Sequence, residues 1–143
     1  MNVKLTTEEM QYISLFESIT GASARDCVID DTANRLIFLV NPGQIGLAIG
    51  RDGKNIRQLR NLLKKTIEVI EYAPSLNTFI KNCFRFAKIK QIRLEENKDG
   101  RKILYVTVAP HQRGLAIGKN KRNITRAKIL AKRHFDIDDI ILE

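Results

Sequence analysis

Residues 46–56 read Gly46-Leu47-Ala48-Ile49-Gly50-Arg51-Asp52-Gly53-Lys54-Asn55-Ile56, and residues 114–124 read Gly114-Leu115-Ala116-Ile117-Gly118-Lys119-Asn120-Lys121-Arg122-Asn123-Ile124. The two stretches lie 68 residues apart, and at that offset Leu36 meets Leu104, Pro42 meets Pro110 and Gln44 meets Gln112. The chain is an internal duplication. In each copy an apolar run leads into a short basic loop and then an amphipathic basic stretch, the pattern of two helices joined by a very tight turn. Gly50 and Gly53 allow backbone angles that side chains forbid and let another backbone come close. Such a turn leaves the first N–H groups of the following helix unpaired at the positive end of its dipole, where phosphate is attracted.

Two familiar phosphate loops are excluded by spacing. A P-loop needs Gly-x-x-x-x-Gly-Lys-Ser/Thr, but Asn55 follows Gly53-Lys54 and Ala48 occupies the position of the first glycine. The dinucleotide fingerprint Gly-x-Gly-x-x-Gly fails because no two glycines stand two apart.

Ile49-Gly50-Arg51-Asp52-Gly53-Lys54-Asn55-Ile56, an Ile-Gly-x-x-Gly-x-x-Ile stretch between two helices, resembles the KH family of single-stranded nucleic-acid binders. In that family the Gly-x-x-Gly loop clamps a short run of nucleotide backbone. The tandem arrangement over the whole chain resembles the archaeal NusA-type transcription factors, two KH units and little else. The first loop matches the pattern in full; in the second, Lys121 stands where the second glycine belongs.

The 68-residue period divides the 143 residues into a first unit over 1–73 and a second over 74–143. Each is near the lower size limit for independent stability, so the two are expected to pack together. Ala73-Pro74-Ser75, a three-residue linker with a proline, is expected to hold their orientation.

The formal charge is +9, and its distribution says more than its total. Residues 1–74 are neutral overall; residues 75–143 carry the whole excess. Even so, residues 51–65 hold Arg51, Lys54, Arg57, Arg60, Lys64 and Lys65 against Asp52 alone. Residues 119–133 hold seven basic residues and no acid. A single basic run reads equally well as a solvated helix face, but two at equivalent places after a repeated loop point to a polyanion.

Cys27 and Cys83 have no metal-ligand spacing and read as reduced core thiols of an intracellular protein. No run is long enough to span a membrane and no signal peptide is evident, so a soluble cytoplasmic protein is expected. There is no Trp, and most Phe and Tyr fall in apolar patterns, which gives aromatic stacking platforms little support. His111 and His134 lie far apart and read as surface or groove-edge residues. No nucleophile and base, paired carboxylates or metal set can be assembled, so a non-enzyme without cofactors is expected.

Along the chain, Thr6 and Glu9 form a capping box for a helix with Met10, Ile13, Phe16 and Ile19 on its apolar face, stopped by Gly21. Cys27–Ile29 and Leu36–Val40 read as strands around a polar turn at 30–34, and Thr66–Tyr72 as the closing strand. Between them, Ile56, Leu59 and Leu63 form a core stripe and Arg57, Arg60 and Lys64 a solvent or ligand stripe. In the second unit Ser75 caps a helix bearing Leu76, Phe79, Ile80, Cys83 and Phe84. Ala87–Leu94 is a strand with a bulge between Ile89 and Ile92, 97–100 a hairpin turn, Ile103–Val108 the returning strand and Ile137–Leu142 the last. The expected class is α+β, each unit running helix, strand, strand, helix, helix, strand. That order resembles the type II KH arrangement, which implies three helices on a three-stranded mixed sheet.

The resemblance implies that a few nucleotides of single-stranded RNA lie in a groove beside the loop. The candidate binding residues are Gly50, Arg51, Asp52, Gly53, Lys54 and Arg57 in the first unit, and Gly118, Lys119, Asn120, Lys121 and Arg122 in the second. Ile49, Ile56, Ile117 and Ile124 belong either to the groove wall or, for at least half of them, to the core behind it. Asp52 either meets a base edge or caps the helix at Lys54. In the second loop Lys121 adds charge and a Cβ, which either blocks the close approach or forces another geometry. Asn120 tolerates left-handed angles and is suited to take over part of the turn. The implied role is an RNA-binding factor in transcription elongation, pausing, termination or antitermination, with RNA polymerase or a transcription complex as partner and no membrane or small-molecule substrate. Ribosomal RNA processing or ribosome assembly is the alternative, and a scaffold with non-binding loops a remote one.

Overall fold

The computed structural model describes residues 3–143. By their internal contacts residues 4–73 form one compact unit, and residues 74–143 belong to the other. The first unit begins with helix α1, Thr7–Thr20. Thr6 and Glu9 cap it reciprocally: the Thr6 hydroxyl accepts from the Glu9 N–H (3.1 Å), and the Glu9 carboxylate accepts from the Thr6 N–H (2.8 Å). Gly21 ends it at φ +75°, donating its N–H to the Glu17 carbonyl.

Ile13 and Phe16 are buried, but Met10 is 49% exposed, against the expected stripe. Steps of three residues precess by about 60° each around a helix of 3.6 residues per turn. The Met10, Ile13, Phe16, Ile19 series therefore winds off one face, and the buried face runs instead through Glu9, Ile13, Phe16 and Thr20.

Strand β1, Ala24–Asp30, pairs antiparallel with β2, Arg35–Val40, with Cys27 opposite Phe38 and a bulge between Ala24 and Asp26. After helices α2, Ile45–Ile49, and α3, Lys54–Leu63, strand β3, Thr66–Glu71, returns parallel to β2. The sheet order is β1-β2-β3, and every residue of the central strand is buried. Phe16 stacks on Phe38 with ring centroids 4.2 Å apart, within a core that includes Cys27, Ala48, Leu59 and Val69.

The second unit repeats this order. Helix α4, Leu76–Cys83, starts at Ser75, whose backbone is extended but whose side chain makes no capping bond, so the expected hydroxyl cap is absent. Strands β4, Ile89–Glu96, and β5, Lys102–Val108, pair antiparallel with a bulge between Ile89 and Gln91. Their turn is closed by the Gly100 N–H on the Asn97 carbonyl at 3.0 Å. Helices α5, Arg113–Ile117, and α6, Arg122–Phe135, lead to β6, Asp139–Leu142, parallel to β5. The last strand starts later than the expected Ile137, because Asp136 is left-handed (φ 58°) and the Ile137 N–H still bonds back to Ala131 of the helix. Each unit is three helices with one three-stranded mixed sheet, the α+β order read from the sequence.

Candidate nucleic-acid interface

The two loops have the same backbone. Gly50 (φ 79°, ψ 170°) and Gly118 (φ 79°, ψ 164°) end α2 and α5. Asp52 (55°, 28°) matches Asn120 (55°, 31°), and Gly53 (74°, 16°) matches Lys121 (61°, 22°). The N–H of Gly53 closes the turn on the Gly50 carbonyl, and that of Lys121 on Gly118, both at 3.1 Å. Lys121 thus does not force a different geometry. It adopts the left-handed conformation of the missing glycine, at a cost of roughly 1–2 kcal/mol for an L-residue.

The two glycines of the first loop are needed for different reasons. At Gly50 a Cβ would stand 2.8 Å from Asn55 Cγ and Nδ2, so a side chain is excluded by contact as well as by angle. At Gly53 the nearest atom is the tip of Arg57 at 3.3 Å, which leaves the angle as the main demand. This is why a lysine can occupy the second position in the other repeat.

Asn55 and Asn123 are the residues that reading the sequence for charge and glycine passed over. Asn55 Nδ2 donates to the Leu47 carbonyl at 2.9 Å, and Asn123 Nδ2 to the Leu115 carbonyl at 3.0 Å. Each ties the helix after the loop to the last turn of the helix before it, where helical carbonyls lack partners. The signal was present, since both stand five residues after the first glycine of their loop, Gly50 or Gly118. Gln44 and Gln112 likewise recur, accepting from the N–H groups of Ser23 (3.2 Å) and Lys88 (2.6 Å).

Helices α3 and α6 begin directly from these turns, and their N-cap residues, Gly53 and Lys121, provide no side-chain cap. Asp52 stands one residue too early to occupy that position; its carbonyl instead accepts from Arg57 Nη1. Arg51, Asp52, Lys54 and Arg57 are exposed around the first loop, and Lys119, Asn120 and Lys121 around the second, with Gly50, Gly53, Gly118 and Arg122 half-buried. The candidate residues of each repeat are therefore gathered at one helix start. Along α3, Leu59 is buried and Ile56 packs on the core, while Arg57 and Arg60 face solvent. Ile49 and Ile117 are half-buried beside their loops and Ile124 is buried.

His111 is exposed, and His134 sits beside Phe79 with ring centroids 6.4 Å apart. Among the described residues no cluster of His, Cys, Asp or Glu could hold a metal ion, and no helix is long and apolar enough to cross a membrane.

Residues 10–74 match the family model of the KH domain, and residues 76–142 that of the NusA-like second KH domain. A protein of Halobacterium salinarum described as "Probable transcription termination protein NusA" is 38% identical over 142 residues, 99% of either chain. The chain belongs to the NusA-like family of tandem KH proteins. A second NusA-like relative with the same description, from Methanococcus vannielii, is 36% identical over 98% of this chain and 79% of its own. The solved structure titled "Crystal structure of APE1850" superposes with a TM-score of 0.90 at 42% identity, covering 97% of this chain and all of that one. RNA binding is the common property that NusA-like KH units imply.

Proposed function

We propose that this chain is a single-stranded RNA-binding transcription factor acting in elongation, pausing or termination, without catalytic chemistry, in the cytoplasm. The observation that carries the reading is the repeated loop: two helix starts of equal backbone geometry, neither with a side-chain capping bond, each ringed by basic residues. In the first unit the phosphate lies against the turn at the positive end of α3, where Arg51, Lys54 and Arg57 supply charge. In the second unit Lys119, Lys121 and Arg122 do so around Gly118 and Asn120. Ile49 and Ile117 offer apolar surface beside the phosphates for bases. RNA polymerase or a transcription complex is the partner in this reading.

The test is a titration of fluorescent single-stranded RNA against the wild type, Arg51→Asp, and the pair Lys119→Asp with Asn120→Asp, at several salt concentrations, with duplex RNA as control. Single-strand preference, a loss of more than about tenfold for Arg51→Asp and a salt slope near −0.7 per neutralised phosphate are expected. Binding that neither change alters would overturn the reading. Recovery of tagged protein with RNA polymerase, rather than with ribosomal particles, tests the process.

A further inference from the structure

The bulges at the start of β1 and β4 and the paired bonds from the Ser23 N–H to Gln44 and from the Lys88 N–H to Gln112 align the entry into the two sheets. Counting back from them, Gly21 of the first unit corresponds to Phe86 of the second, and Thr20 to Arg85. In the first unit this corner is closed: Thr20 is buried and Gly21 ends the helix. In the second unit α4 stops at Cys83, and Phe86 is left 66% exposed, the most exposed large apolar side chain among the described residues.

Phe86 borders a shallow depression whose other walls include Arg85, Leu115, Asn123 and Arg126. Leu115 is itself half exposed. The Arg85 guanidinium lies 4.8 Å from the Phe86 ring centroid. Arg126 reaches the Cys83 carbonyl with Nη2 at 3.3 Å. Burial, and then the positive charge of Arg126, lower the Arg85 pKa from its usual value, so the two guanidinium groups feel each other. No carboxylate lines the depression. Two cations held near one another beside an exposed aromatic ring match the chemistry of a nucleotide, which offers phosphate to the cations and a π-face to the ring. Asn123 lines this depression and also bonds across the second loop to the Leu115 carbonyl, so the two surfaces adjoin.

We propose that Phe86, Arg85 and Arg126 form an additional single-stranded RNA subsite of the second unit, in which a base stacks on Phe86 and the adjoining phosphate is held by the two arginines. The proposal rests on the RNA-binding reading above. It gives the second unit, whose loop carries Lys121 in place of glycine, a contact that the first unit lacks.

The experiment compares the wild type with Phe86→Ala, Phe86→Tyr, Arg85→Ala and Arg51→Asp in titrations of single-stranded RNA, with circular dichroism to verify folding. Single-stranded RNA carrying 5-iodouridine is then irradiated on the wild type and the cross-linked residue found by mass spectrometry. Phe86→Ala should weaken binding about tenfold and Phe86→Tyr hardly at all. Arg85→Ala should reduce the salt slope by about 0.7, and the cross-link should map to Phe86. If Arg51→Asp loses RNA while Phe86→Ala and Arg85→Ala bind as the wild type does, with no cross-link at Phe86, the subsite is refuted and the loop reading stands. In that case loss of transcription-complex binding by Phe86→Ala would assign the patch to a protein partner. A wild type that binds no single-stranded RNA refutes both.

Discussion

Asn55 lies against Gly50 so closely that a single added carbon on the glycine would stand 2.8 Å from the amide carbon, and Asn123 stands in the same relation to Gly118. The pair is one device. The glycine makes room for the amide, and the amide occupies a carbonyl that the end of the short helix leaves open. Gly50→Ala should therefore destabilise the first unit by about 1–3 kcal/mol, combining contact with an unfavourable φ. Gly53→Ala should cost only about 1 kcal/mol, since its Cβ meets nothing but a movable arginine tip. Urea unfolding of the two variants checks the order.

Lys121→Gly separates the backbone contribution of the second loop from its charge. Because Lys121 already holds φ 61°, glycine there relieves strain, and stability should rise by up to about 1 kcal/mol after glycine's greater unfolded-state entropy is set against it. The salt slope of RNA binding should fall by about 0.7, one phosphate's worth. A loss of stability would mean that the lysine side chain supports the turn.

Arg57 and Arg60 are both exposed on α3, but only Arg57 donates to the carbonyl of Asp52 within the loop. Alanine at either position removes one positive charge. If Arg57 positions the loop as well as charging it, Arg57→Ala should weaken RNA binding at least threefold more than Arg60→Ala, with the difference persisting at high salt. Equal losses that vanish together in salt would reduce Arg57 to charge alone.

Arg35, 1% exposed, joins Asp30 (Nε–Oδ2, 2.7 Å) and Glu68 (Nη1–Oε1, 3.0 Å) across the three strands of the first sheet. Its counterpart in the second unit is Ile103. Arg35→Ala should cost about 3–5 kcal/mol, because it leaves two carboxylates without their shared cation. Burial pushes the Asp30 carboxyl up, but the Thr32 hydroxyl and the Arg35 guanidinium outweigh it, and the pKa ends below 3.8. A folded-state pKa below the unfolded one contributes stability that is present above pH 3.8 and is lost as the pH falls through the folded value. Acid titration followed by circular dichroism should show this loss in the wild type and a smaller one in Arg35→Ala, where the Thr32 bond to Asp30 remains.

The thiols offer a test of packing. Burial pushes Cys83 up to about 12, only partly countered by Arg126, and Cys27 is wholly enclosed. Neither should react with Ellman's reagent in the native protein at pH 8, and both should react after unfolding. Fast native labelling of Cys83 would mean that the corner around Phe86 opens.

Much of this molecule was legible because it is written twice. Repetition at one offset located both loops, the order of elements and the central strands, since buried apolar runs and glycine turns depend on local chemistry. Periodicity failed where one spacing fits several faces: Met10 continued an apolar series, yet only the sheet beneath α1 selects which side is covered. The second loop could not be settled from its letters, because glycine's absence states a strain but not whether the surroundings sustain it. The backbone of Lys121 is held by its turn bond to Gly118 and by the neighbouring Asn123 clasp, which are contacts between positions and not properties of the residue. The same holds for Phe86, which lies between the helix read from the sequence through Phe84 and the strand read from Ala87; in the fold the helix stops at Cys83 and the ring is left exposed. Composition and spacing determined what kind of surface this chain presents. Only the tertiary fold decided which side chains reach it, because burial is set by what packs opposite each residue.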